Sequence, residues 1–236
     1  MNTALDGKTA LVIGAGRSLG RALSLALAGA GAAVAAQDLS PVGLDATADA
    51  VRAAGGSIRA YCGETGKGLP AGALMDEVLN DFQRIDLFFH CAWAHPIAGL
   101  LELDEWDWQR AFETNVTSPY LLLRLVGRHM QDLHGGAAGI FAVDAARPPV
   151  FAASQAARLA LVRAAAAEFS AYNISVFAIC LGDHQSISGE ATVPPGDETL
   201  ALARAVRLAL QLAGSPTLPR QIVYRPNADP KPSSPE

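Results

Sequence analysis

The sequence GKTALVIGAGRSLGRALSLALAGAGAAVAAQD, residues 7–38, has the pattern of a strand, a turn, a helix and a second strand. Thr9–Gly14 is an uninterrupted apolar run of the length of a buried strand. From Ser18 to Gly29 apolar residues recur at helical spacing, and Ala33–Gln37 is a second apolar run. This order predicts a βαβ unit whose two strands pair in parallel.

The same alternation of apolar runs and helical patterns continues through the chain. Further strands are predicted at Ser57–Cys62, Asp86–Cys91, Gly139–Val143, Ile174–Leu181 and Gln221–Tyr224, and helices at Val42–Ala54, Ala71–Phe82, Trp106–Leu133 (one long helix or two abutting ones), Ala152–Phe169 and Leu200–Ala213. Strands that are apolar on both faces belong to a parallel sheet covered on both sides. We therefore expect an α/β fold over residues 1–225, a single-domain Rossmann-type, doubly wound parallel sheet of about seven strands. Residues 226–236, rich in Pro and Ser, are expected to form a disordered tail.

Composition limits the classes of partner. The 236 residues are 50% hydrophobic and 17% charged, which suits one domain with a large core. The net charge of −5 argues against a nucleic-acid partner, which requires clustered cations. We expect no signal peptide, no membrane contact and a cytoplasmic location. The most apolar helical stretch, Leu159–Ala167, is interrupted by Arg163 and is short for a membrane span.

The cysteines and histidines do not have the spacing of a metal site. Cys62, Cys91 and Cys180 are far apart, each within or beside an apolar run, and none forms a Cys-x-x-Cys pair. The five histidines are scattered, so no metal is predicted. The cysteines are interpreted as small hydrophobic residues, with a reactive-thiol role left open for Cys91.

The turn between the first strand and the first helix has the context of a phosphate-binding site. Its candidate residues are Gly14, Gly16, Arg17, Ser18, Leu19 and Gly20. Glycines allow a phosphate close to the backbone, and N–H groups at the start of the helix can hold a pyrophosphate. The alternative is an ordinary glycine-rich turn between a strand and a helix.

Asp38 follows the second strand, where an acidic side chain can bind the hydroxyls of an adenosine ribose. A carboxylate there would repel a 2′-phosphate, so the cofactor, if there is one, is predicted to be NAD(H) rather than NADP(H). Arg17 argues the other way, because a guanidinium could pair with a 2′-phosphate. A loop aspartate that caps the following helix remains the alternative for Asp38.

Four segments, in order, resemble the short-chain dehydrogenase/reductase family. They are residues 7–38, ETNVTSPYLLLR (Glu113–Arg124), FAASQAARLALVRAAAAEF (Phe151–Phe169) and NISVFAICLG (Asn173–Gly182). The resemblance implies a nicotinamide-dependent oxidoreductase fold. It places the family's catalytic Asn at Asn115 and the strand and turn over the nicotinamide at Gly182.

The departures from the family fall where its chemistry takes place. Its Tyr-x-x-x-Lys pair corresponds to Phe151 and Gln155, and no serine follows the fifth strand, where Asp144 is a possible replacement. A phenyl ring has no proton to donate, and a glutamine carries no charge. The family's Asn-Asn-Ala-Gly corresponds to residues 90–93, which keep Ala92 but put Trp93 in place of glycine.

Three hypotheses follow from this pattern. The first is a divergent NAD(P)-dependent oxidoreductase with relocated acid–base groups, for which the candidates are His90, His95, Tyr120, Asp144 and His184. The second is a pseudo-dehydrogenase that binds a dinucleotide or another small ligand as a sensor. The third is a partner subunit of an active relative.

The resemblance also implies that the chain forms an oligomer. The family commonly assembles through the helices that correspond to Trp106–Leu133 and Ala152–Phe169. A homo-oligomer (dimer or tetramer), or a hetero-oligomer with an active relative, is therefore expected. The second of these helices carries an alanine-rich face, which either packs within the chain or allows close approach of another helix: Ala156, Ala157, Ala160, Ala164 and Ala167.

Overall fold

A computed structural model describes residues 4–143, 148–181, 207, 209–211 and 223–224. Its seven strands form one parallel sheet in the order β3-β2-β1-β4-β5-β6-β7. The strands are β1 (Thr9–Ile13), β2 (Ala33–Asp38), β3 (Ile58–Cys62), β4 (Leu87–His90), β5 (Gly136–Val143), β6 (Ile174–Leu181) and β7 (Val223–Tyr224). The predicted α/β class and doubly wound sheet are confirmed.

The helices connect successive strands. They are α1 (Ser18–Gly29), α2 (Pro41–Ala53), α3 (Gly68–Phe82), α4 (Glu105–Phe112), α5 (Ser118–Asp132) and α6 (Pro149–Phe169), followed by a short 3₁₀ turn (Ser170–Tyr172). A single π-helical turn, Glu113–Thr117, joins α4 to α5. The predicted helical stretch Trp106–Leu133 is therefore two helices with a π turn between them, and such turns are frequent at functional sites.

Two hydrophobic cores cover the two faces of the sheet. Within β1, Ala10 and Val12 belong to the core under α1 and α2, whereas Leu11 and Ile13 belong to the core under α3, α5 and α6. The alternation follows from the two-residue period of a strand. Because both faces are covered by helices, the strand is apolar throughout, as its sequence indicated.

Three elements begin three residues earlier than predicted, and one of them is α3, which begins at Gly68 rather than Ala71. Strand β5 begins at Gly136 rather than Gly139, and α6 begins at Pro149 rather than Ala152. Proline is well suited to the first turn of a helix because it lacks the N–H that would be unpaired there. The predicted helix Leu200–Ala213 lies mostly outside the described residues, and the predicted tail, residues 226–236, lies wholly outside them.

Helix α6 is longer than the sequence analysis expected. With the following turn it reaches Pro149–Tyr172, 24 residues, and among the described residues it alone is long and apolar enough to cross a membrane. It packs through Val162, Ala165 and Ala166 against the sheet, and a core helix of this kind meets the same criteria. The feature is weak support for a membrane span.

Candidate functional site

The carboxyl ends of β1 and β4 form the crevice where ligands bind in doubly wound sheets. Strand β1 lies between β2 and β4, so the chain order reverses at this point of the sheet. In folds of this kind the ligand lies outside the carboxyl ends of the strands at such a reversal. The predicted turn after β1, Asp38 at the end of β2 and Ala92 after β4 are therefore brought to one place.

The turn after β1 is built from close backbone contacts. Gly14 has φ +78°, and a Cβ there would lie 2.7 Å from the backbone nitrogen of Ala92. A Cβ on Gly20 would overlap the carbonyl of Gly14. Both glycines are therefore required by geometry. Ser18, by contrast, has φ +37°, a left-handed conformation that favours glycine.

Asp38, the last residue of β2, is hydrogen-bonded to this turn. Its Oδ2 accepts a hydrogen bond from Gly16 N at 2.8 Å, and its Oδ1 accepts one from Ser40 N at 3.2 Å. A Cβ on residue 16 would lie 2.8 Å from that same Oδ2, so Gly16 permits the contact. A carboxylate has about four acceptor positions, so Asp38 can still accept hydrogen bonds from a ligand.

A cavity of about 780 Å³ opens over these groups. It is lined by the turn after β1, the ends of β2 and β3, residues 91–95 after β4 and one face of α4. That face consists of Trp106, Gln109 and Arg110, and Glu113 of the π turn continues it, since a spacing of three and four residues places side chains on one side of a helix. The Arg110 guanidinium lies 5.1 Å from the centre of the exposed Trp106 ring. Sequence reasoning missed this wall, because α4 is far along the chain from the turn.

Asn115, in the π turn, has a structural set of hydrogen bonds. Its Oδ1 accepts from Ala94 N at 2.8 Å, and its Nδ2 donates to Ala94 O at 2.8 Å and to Ser154 Oγ at 2.8 Å. The side chain is fully buried. It therefore joins three parts of the chain: the loop after β4, the π turn and α6.

Phe151 and Gln155 lie on the buried face of α6. Phe151 is fully buried, and the His95 ring stands edge-on to it with 4.4 Å between ring centres. The Gln155 Oε1 accepts a hydrogen bond from Val143 N at 3.0 Å, and its buried Nε2 has no partner among the described residues. Neither residue lines the cavity among its described lining residues.

A buried arginine that the sequence analysis did not select lies next to these groups. Arg158 is fully buried, and its guanidinium donates to the carbonyls of His90 at 3.0 Å and Ala92 at 2.9 Å. Its Nη2 also lies 2.8 Å from His90 Nδ1. Within the described part of the chain no carboxylate pairs with it. Its position seven residues after Phe151, on the same helix face, was the available signal.

A chain of hydrogen bonds leads from this arginine towards the cavity. The other ring nitrogen of His90 lies 2.9 Å from Ser118 Oγ, which in turn lies 2.7 Å from Thr65 Oγ1. Thr65 lines the cavity. Burial lowers the pKa of His90 well below its ordinary value, and the charge of Arg158 lowers it further. His90 is therefore neutral near pH 7.

The remaining candidates divide by position. His95 lines the cavity, whereas Tyr120 is exposed on α5 and is not among the lining residues. Asp144, Gly182 and His184 lie outside the described residues. The described residues contain no cluster that could hold a metal ion.

The cysteines differ in environment. Cys91 and Cys180 are buried and Cys62 is exposed, so the interpretation as small hydrophobic residues fails for Cys62. Cys91 lines the cavity, but burial raises the pKa of its thiol, so the thiolate needed for a reactive role is disfavoured at neutral pH.

Comparisons with known proteins agree with this architecture. A sequence profile described as short chain dehydrogenase matches residues 8–191. An uncharacterized oxidoreductase of Thermotoga maritima is 28% identical over 218 residues, which cover 89% of this chain and 85% of the relative.

Two solved structures are similar in fold. A metagenomic short-chain oxidoreductase in complex with NADP has a TM-score of 0.82 at 23% identity, with 95% of this chain and 99% of that chain covered. An NAD⁺-bound xylitol dehydrogenase has a TM-score of 0.80 at 24% identity, with coverages of 93% and 97%. At these identities the two structures support the fold alone.

Proposed function

Since this chain belongs to the short-chain dehydrogenase family, we propose that it is a pseudo-dehydrogenase that binds a nucleotide without standard hydride transfer. The family is one of NAD(P)-binding oxidoreductases. The observation that carries the proposal is the state of residue 151: Phe151 has no hydroxyl, is fully buried and is covered by His95. General acid–base help of the kind a tyrosine supplies contributes about 10²–10⁴ in rate.

The neighbouring positions support the same conclusion. Gln155 carries no charge, and its amide oxygen is bound to the backbone of β5. Asn115 is retained, but its side chain bonds to Ala94 and Ser154. At the position where the family carries out its reaction, these two side chains therefore make hydrogen bonds within the protein. Asp144, the possible replacement for the missing serine, stays a prediction.

We propose NAD(H), rather than NADP(H), as the dinucleotide to test first. Asp38 presents a carboxylate to the cavity, held in place by Gly16 N and Ser40 N. A 2′-phosphate on the adenosine ribose would be repelled by that charge. Arg17, which also lines the cavity, is the residue that would favour NADP(H).

A divergent oxidoreductase is the second candidate function, and one observation favours it. Among the relocated acid–base groups that we considered, His95 lines the cavity and lies directly against Phe151. A histidine in contact with the cavity could act as a general acid or base towards a ligand. His90 is a poor candidate, because it is fully buried, neutral and already bonded to Arg158 and Ser118.

Binding and turnover measured together test both functions. Purified protein is titrated with NADH and with NADPH by fluorescence, and the reduction of a panel of ketones is followed by loss of NADH absorbance. Saturable binding of NADH without ketone reduction is the expected result. Turnover that is abolished in His95→Gln would instead support the divergent oxidoreductase, and a lack of any nucleotide binding would contradict both functions.

A double variant tests how far the site has diverged. Phe151→Tyr with Gln155→Lys restores the family's pair. We expect no gain of reductase activity, because the new hydroxyl would lie under His95. An increase in ketone reduction of a hundredfold or more over background, the lower end of about 10²–10⁴ for acid–base catalysis, would show that only this pair is missing.

We propose further that the chain assembles, either with itself or with an active relative. The alanine-rich face of α6 does not pack within the chain: Ala156, Ala160, Ala164 and Ala167 are exposed and Ala157 is half-buried. Small side chains allow two helices to approach closely. The absence of a nucleic-acid or membrane partner and a cytoplasmic location stay predictions.

A further inference from the structure

Among the described residues, the cavity lining includes the groups on one side of the loop after β4, called the open side, and not those on the other, called the closed side. The open side has the turn after β1, Asp38 and the ends of β2 and β3. On the other side lie Asn115, Phe151, Ser154 and Gln155, and each of these is at most 1% exposed. None of the four is among the described residues that line the cavity.

Two large side chains of the loop after β4 separate the two sides. Trp93 lines the cavity and packs against the core under α1 and α2. His95 lines the cavity two residues later and covers Phe151, with 4.4 Å between the ring centres. The loop is held by Asn115, which bonds to both the N–H and the carbonyl of Ala94 at 2.8 Å. These rings are therefore on a fixed backbone.

The open side has the groups that an adenosine 5′-diphosphate requires. The N–H groups at the start of α1 and the exposed Arg17 can hold phosphates. Asp38 has acceptor positions left for ribose hydroxyls, since only two of about four are used. The cavity volume of about 780 Å³ is ample for such a group. The volume of the cavity therefore does not limit the size of the ligand, whereas the closed side does.

We infer that the ligand of this site is an adenosine 5′-diphosphate group without a bound nicotinamide ring, as in ADP or ADP-ribose. The inference rests on the proposed function, because it specifies the ligand of the same nucleotide site. Trp93 and His95 line the cavity beside the closed side, and His95 packs against Phe151, so these two rings would separate the adenosine diphosphate from a nicotinamide site. A dinucleotide then binds through its ADP half alone, and its nicotinamide half stays in solvent.

Calorimetric titration of the wild-type chain with NAD⁺, ADP-ribose, ADP and nicotinamide mononucleotide tests the inference. We expect ADP-ribose and ADP to bind within about threefold of NAD⁺, and the mononucleotide to give no binding at millimolar concentration. NAD⁺ binding more than tenfold tighter than ADP-ribose, a difference of about 1.4 kcal/mol, would overturn the inference while leaving the proposed nucleotide site intact. No binding of any of the four would overturn both.

Substitutions of Trp93 and His95 test whether these two rings limit the nucleotide site. Trp93→Gly and, separately, His95→Ala are expected to raise the affinity for NAD⁺ relative to ADP-ribose by tenfold or more, because each removes a ring from the closed side. Asp38→Ala is the matched control and should weaken all adenosine ligands by a similar factor. An unchanged ratio in both ring variants would overturn the inference. Should either variant fail to fold, the wild-type ligand series still decides.

Discussion

Ser18 has an unusual backbone conformation at a position that contacts the cavity. Its φ of +37° lies in the left-handed region, which costs a non-glycine residue roughly 1–2 kcal/mol. Unlike a glycine, a serine has a hydroxyl group, and here it stands at the start of the helix, where phosphates bind. The residue therefore combines local strain with a position suited to recognition.

Substitution of this serine by glycine should stabilise the protein. Ser18→Gly removes the left-handed strain, partly offset by the greater freedom of glycine in the unfolded chain, so we expect a gain of about 0.5–1 kcal/mol in unfolding free energy. Urea unfolding measures it. Ser24→Gly, inside α1, is the control and should lose about 1 kcal/mol. A loss of stability in Ser18→Gly would show that the strain is compensated.

Arg158 is a buried charge that no carboxylate of the described residues pairs with. Burial lowers the pKa of its guanidinium to about 9, which still leaves it protonated at neutral pH. Carbonyl oxygens of His90 and Ala92 and a nitrogen of His90 contact its two terminal nitrogens, whereas its buried Nε has no partner among the described residues. The charge therefore fixes the end of β4 and the loop beyond it, which forms a wall of the cavity.

At the scale of elements, the π turn between α4 and α5 places the Asn115 side chain in contact with two neighbouring segments. The turn, Glu113–Thr117, contains Asn115, whose amide reaches the loop after β4 and the first turns of α6. The extra residue of a π turn changes the direction of the side chains that follow it. The loop and the two helices are therefore held as one unit.

Loss of the hydrogen bonds of Asn115 should lower the unfolding free energy of the protein. Asn115→Asp keeps the shape of the side chain but replaces two hydrogen-bond donations with a carboxylate that faces the Ala94 carbonyl. We expect a loss of about 2–3 kcal/mol in unfolding free energy, because a buried acceptor loses its donor. Asn80→Asp on the exposed surface of α3 is the control and should change stability by less than about 0.5 kcal/mol. Equal effects in the two variants would contradict the role of Asn115.

For the whole molecule, the buried His90 and the half-buried His129 predict sensitivity to acid. The pKa of His90 is lowered by burial and by Arg158, and burial also lowers the pKa of His129. Below the ordinary histidine pKa of 6.5 the unfolded chain binds protons that the folded chain does not. Stability is therefore fully present above this pH and falls as the pH is lowered through it.

Urea unfolding between pH 7.5 and 5.5 should show this loss. For His90, each pH unit below 6.5 over which the folded chain keeps the ring neutral costs roughly 1 kcal/mol. In His90→Gln the slope of stability against pH should be smaller, whatever the variant's stability at pH 7.5. His129→Gln provides the comparison for the half-buried histidine. A slope in His90→Gln equal to that of the wild type would rule out His90 as the cause.

The exposed alanine face of α6 predicts how the molecule assembles. In analytical ultracentrifugation we expect the wild-type chain to sediment as a dimer or a larger oligomer. Ala160→Arg places a long charged side chain on the contact face and should shift the protein towards the monomer. Ala46→Arg, exposed on α2, is the control and should leave the sedimentation unchanged. A monomeric wild type would leave a hetero-oligomer as the form of assembly to test.

Local patterns were enough to predict the order of the elements and the turn after β1. The apolar runs and the helical spacing of residues 7–38 depend on neighbours in the chain, and so do the glycines at 14 and 20. The absence of a hydroxyl at Phe151 and of a charge at Gln155 is likewise a property of the sequence. These features are visible without coordinates because they involve residues only a few positions apart.

Contacts between distant residues were decided by the tertiary structure alone. His95 covers Phe151, Arg158 is buried beside His90 with no carboxylate of the described segments, and α4 lines the cavity. Each of these contacts joins segments that are far apart in the chain. No periodicity encodes such pairs, because they depend on how the π turn and the loop after β4 pack. The sequence thus determined a Rossmann-type chain with a candidate site that has no hydroxyl at residue 151 and no charge at residue 155. The packing determined which side of that site stays open.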